Sequence, residues 1–111
     1  MNNIIKNQII INVKNDFMYC STLIELCYQI NNNTMLSNKL TKEEIETINK
    51  IKSFCKTEIG RIDLALRHFK EYMNDKIKIT DIEFQNLSKH SFILRSEVKQ
   101  YFLTLKLISK T

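Results

Sequence analysis

The sequence predicts an all-α protein: a three- or four-helix bundle with two long antiparallel helices, in a single domain over residues 1–111. Two observations carry this prediction. The chain has one glycine and no proline, and its apolar residues recur every three or four positions over long stretches. Sandwiches, barrels and hairpin-rich folds need turns at positive or preset φ, which Gly and Pro supply. A chain of this length buries roughly two-thirds of the surface it exposes when unfolded, enough for a core without metal or disulfide staples. Its 43% of hydrophobic residues argue against global disorder.

The first helix is marked by Ile10, Val13, Phe17, Cys20, Ile24 and Cys27, whose spacing alternates between three and four residues. The pattern stops before the polar run Asn31-Asn32-Asn33-Thr34. The helix is well defined from about Asn15, with Asn15 or Asp16 as its N-cap. Residues 3–13 are Ile-rich and suit either strand or helix, and residues 31–40 read as a linker.

A second helix, over roughly 41–74, opens on Thr41-Lys42-Glu43-Glu44, a capping box. It carries the stripe Ile48, Ile51, Cys55, Ile59, Ile62, Leu66, Phe69 and Met73. Gly60 lies in its middle, where it marks either a close helix approach or a kink, and a kink would make the bundle four-helical. A second capping box, Thr80-Asp81-Ile82-Glu83, opens a last helix over roughly 81–109. Its heptad-like series is Phe84, Leu87, Ser91, Leu94, Val98, Tyr101, Leu105 and Ile108, in which only Ser91 is polar. The short link Asp75–Ile79 makes the two long helices antiparallel neighbours. A rival α+β reading takes Lys76–Thr80 and Leu103–Leu107, which alternate polar and apolar, with Ile9–Ile11 as a small sheet.

Lys6, Asn7, Gln8 and Asn12 interrupt the apolar start, no small-residue cleavage site follows, and no run approaches the ~18 apolar residues of a membrane span. The expected protein is soluble and cytoplasmic, or in the host cytoplasm if the source is viral. Abundant Ile, Asn and Lys, all with AT-rich codons, point to an AT-rich genome. Cys20, Cys27 and Cys55 lack C-x-x-C spacing and read as small buried hydrophobes. With a single glycine, no Gly-rich phosphate loop can form. No cofactor, metal, catalytic residue or small-molecule substrate is expected. Arg61 and His68, on one helix, resemble the Arg-x4–6-His pair of HEPN-type ribonucleases. That resemblance implies an RNA-cleaving helical bundle. It covers two residues, and the polar residue often next to the Arg is here Ile62.

The net charge of +5 is concentrated late in the chain. Residues 76–111 hold seven basic and three acidic side chains, whereas residues 41–75 hold seven of each. Lys89, Arg95, Lys99, Lys106 and Lys110 lie off the heptad seam, and a nucleic acid is one partner they would suit. The same helix has more apolar residues than one seam uses: Phe92, Ile93, Phe102, Leu103 and Leu107. Leu23, Leu26 and Ile30 likewise widen the first helix, and Phe54 and Leu64 the second. A monomer wrapped around a central last helix would absorb such a surplus internally. The favoured reading is instead a non-enzymatic accessory protein, of chaperone, immunity or inhibitor type, that binds a partner protein or a second copy of itself.

Overall fold

Three long helices and one short helical turn make up the fold. A computed structural model, which describes residues 1–110, contains α1 (Asn3–Asn32), α2 (Thr34–Ser37), α3 (Lys42–Met73) and α4 (Asp81–Ile108). Among the described residues there is no strand, so the small-sheet alternative falls. Residues 103–107 lie inside α4. Over residues 76–80 the alternation belongs to a link that buries Ile79 and half-buries Ile77 while its lysines stay in water.

The Ile-rich start is helical from its third residue. The Asn2 side chain caps it, accepting the Ile5 amide at 2.9 Å. β-Branched residues weaken a helix by a few tenths of a kcal/mol each, against about 1.5–3 kcal/mol for burying each of Ile9, Ile10 and Val13. Packing therefore decides the conformation. Asn15 and Asp16 lie inside this helix and cap nothing. Residues 31–40 are more than a linker: Asn33 ends α1 and its side chain accepts the Leu36 amide to start α2.

Both capping boxes form as the sequence predicts. Thr41 Oγ1 accepts the Glu44 amide at 3.1 Å while Glu44 Oε1 accepts the Thr41 amide at 2.9 Å. Thr80 and Glu83 repeat this at 3.2 Å each way. Gly60 neither breaks α3 nor admits a neighbour. The helix runs through it, and a Cβ built there would meet nothing within 4 Å. At the far end of α3, Asp75 takes φ 56°, the Lys76 amide reaches the Glu71 carbonyl at 2.9 Å and the Asp75 amide the Tyr72 carbonyl at 3.1 Å. This is a Schellman motif with aspartate where glycine is usual.

Cross-helix contacts set the directions. Cys20 hydrogen-bonds Cys55 and Cys27 donates to the Ile48 carbonyl, so α1 and α3 are antiparallel. Lys6 pairs with Asp81 and Ser91 with Asp16, so α1 and α4 are parallel. Phe69 stacks on Phe84 and Phe54 meets Tyr101 edge-on, so α3 and α4 are antiparallel, as expected. The molecule is 52 × 21 × 17 Å, about as long as α3 itself at ~1.5 Å per residue. α1 packs extensively against both α3 and α4, which meet each other mainly through long side chains. The central helix is thus the first and not the last. Two apolar stripes on α1 follow from this position, and Leu23 and Ile30, read from sequence as surplus, are buried within the bundle.

Candidate functional site

The residues nominated from sequence on α4 divide by location. Phe92, Ile93, Leu103 and Leu107 are 76, 58, 55 and 68% exposed. They lie on the side of α4 turned away from Phe84, Leu94, Val98 and Leu105, which fill the core. Phe102 is half-buried and, with Leu103, lines a groove of about 570 Å³ against Leu26, Ile30 and Leu36. α1 and α4 form its two walls and α2 closes one end. Leu105 and the polar Gln29, Asn33, Lys106 and Ser109 complete the lining. The part played by Leu36 was not visible in the sequence, because it sits in the segment read as linker.

The lysines nominated for nucleic acid remain at the surface: Lys89, Lys99, Lys106 and Lys110 are all exposed. Arg95 is not among them. Its Nη2 donates to Ser91 Oγ at 3.1 Å, and its Nε lies 3.8 Å from Asp16 Oδ1. A second basic feature, of the exposed Lys56 and the half-buried Lys52, was missed altogether. Lys52 and Lys56 stand 5.1 and 5.4 Å from the centre of the Tyr28 ring. The hydrogen bond from Lys56 to the hydroxyl holds the Tyr28 phenol below its ordinary pKa. The signal was the pairing of two helices, which one helical wheel cannot show.

Midway along the bundle lies a layer of buried polar groups. Asp16 on α1 is 2% exposed and accepts from Ser91 Oγ at 2.5 Å. Glu58 on α3, also buried, meets His90 Nε2 at 2.8 Å and Arg61 Nη1 at 3.6 Å. Asp16 Oδ1 and Arg95 Nε are buried without a hydrogen bond. Burial raises the Asp16 carboxyl above its ordinary value, against the lowering effects of the Ser91 hydrogen bond and of the Arg95 and His90 charges. Chemically, the layer ties α1 to α4 and α3 to α4. Ser91, the one polar member of the heptad series, was the sequence signal for it.

Beside this layer, two adjoining cavities of about 230 and 350 Å³ run between α3 and α4 and share Ala65, Leu87 and His90. Arg61 lines the first and His68 the second, so the pair singled out from sequence opens onto one groove together with His90. Arg61 is held by the Glu58 carboxylate. The thiols lie deeper. Cys20, Cys27 and Cys55 are free and fully buried, as read from sequence. A hydrogen bond with Cys55, and burial, push the Cys20 thiol far up, and burial pushes Cys27 up to about 11. No group of three or more His, Cys, Asp or Glu among the described residues is arranged to hold a metal ion. No helix among them is long and apolar enough to cross a membrane.

No protein-family model, curated protein or solved structure matches this chain.

Proposed function

We propose that this protein is a non-enzymatic helical accessory protein that acts by binding a partner protein through α4. The observation that carries the reading is the exposure of Phe92, Ile93, Leu103 and Leu107 on one helix that already contributes a full seam to the core. Isolated exposed apolar residues are ordinary, but four on one helix face beside an apolar groove favour an interface. Phe92 and Phe102 supply the large anchors that dominate interface energies. Partner binding through a second copy of the chain is the homodimeric form of the same proposal.

The test combines sedimentation equilibrium with capture from the native source, using the wild type and a Phe92→Asp/Leu103→Asp variant. Both substitutions are at exposed positions, so the variant should keep the wild-type helical circular dichroism. The proposal expects either self-association or a stoichiometric captured protein, lost in the variant. Two monomers that capture the same proteins would overturn it.

A further inference from the structure

Resting on the protein-binding reading, we propose that the groove between the C-terminal halves of α1 and α4 receives an acidic amphipathic helix from the partner. The groove's apolar floor is Leu26, Ile30, Leu36, Phe102, Leu103 and Leu105. Its walls are helices, whose backbone donors and acceptors are used internally, so no sheet edge is available to an extended peptide. Side-chain ridges of two neighbouring helices take a third helix. Residues 102–109 of the wall span about 10 Å, two helical turns. The occupant therefore places apolar residues at i, i+3 or i+4, and i+7.

Charge sets the rest of its chemistry. Residues 25–40 and 98–110, the segments that build the groove and its rim, contain Lys39, Lys99, Lys106 and Lys110 against a single acid, Glu25, whose carboxylate accepts from the groove-lining Gln29. All four lysines are exposed, and Lys106 lines the groove itself. α1 and α4 run parallel and end on this side, so their last carbonyls contribute a partial negative charge of about one half each. Four full positive charges outweigh these two half charges and the Glu25 carboxylate together. A helix flanked by Asp and Glu is complementary to this rim, and one flanked by Lys is repelled.

Three labelled peptides with the same apolar content test this by fluorescence anisotropy on the intact protein. One carries the apolar stripe with Glu flanks, one the same stripe with Lys flanks, and one the Glu composition with the stripe scrambled. The expected result is that the Glu-flanked helix binds about tenfold more tightly than the Lys-flanked one, with the gap narrowing as salt rises. Lys99→Glu/Lys106→Glu/Lys110→Glu, all at exposed positions, should reverse the preference, and Leu103→Asp should weaken both helices. Equal affinity for the two flanks overturns the acidic partner while leaving an apolar docking groove. Equal binding of the scrambled peptide overturns the helix. If no peptide binds, the inference fails, whatever the capture experiment shows. Occupancy by a fatty-acid probe, or self-association lost in Leu103→Asp, would then name the true occupant.

Discussion

At the scale of single residues, the side chain most at odds with its surroundings is Asp16. A carboxylate that is 2% exposed is costly unless it is paired. Ser91 and Arg95 supply the partners, from positions four residues apart on α4. Ser91→Ala leaves that carboxylate without its hydroxyl donor and should lower stability by about 1–3 kcal/mol in urea unfolding. The pH dependence has a definite sign. Because burial raises the native carboxyl pKa, the folded protein holds a proton on Asp16 at pH values where the unfolded chain has released it. Asp16's contribution to stability therefore falls as pH rises through the window between the ordinary value and the raised one, and recovers on acidification. His90, Arg95, Arg61 and Glu58 share its surroundings and are present in both the wild type and Asp16→Asn. The stability of the wild type relative to Asp16→Asn should increase as pH falls across that window. A constant difference would place the Asp16 carboxyl at its ordinary value.

At the scale of elements, the caps were fully legible, because a capping box is local: Thr41 with Glu44 and Thr80 with Glu83 need no tertiary information. Gly60 was not legible, since either proposed role depends on what lies across from it. The structure places nothing there, and the residue is exposed in an uninterrupted helix. Its φ is negative, so an L-residue fits without strain. Gly60→Ala should therefore stabilise the protein by about 1 kcal/mol, read as a higher urea midpoint at unchanged slope. A lower midpoint would mean that the glycine is used for an approach absent from the isolated chain. The Ile-rich start of α1 was ambiguous for a related reason. Its local preference is weak, and burial of Ile9, Ile10 and Val13 against other helices settles it.

At the scale of the whole molecule, one fact organises the rest: α1 lies between α3 and α4. It buries Cys20, Leu23 and Cys27 completely and so should hold the slowest-exchanging amides in native-state hydrogen exchange, ahead of those in the second half of α4. Uniform protection across all three long helices would contradict this. By itself, the sequence determined the helical class, the two capped helices with their antiparallel relation, and the seam residues except Met73, which is 63% exposed at the end of α3, because period, caps and loop length are properties of neighbouring residues. It also marked the apolar surplus of α4, whose members Phe92, Ile93, Leu103 and Leu107 are indeed uncovered in the folded chain. Only the tertiary structure decided which surplus was internal. Leu23 and Ile30 belong to a central helix with two partners, and the half-buried Arg95 pairs with a buried aspartate 79 positions earlier. A helical wheel assigns a residue to a face, but which faces meet is fixed by how three cylinders share one core, and that is a property of all of them together.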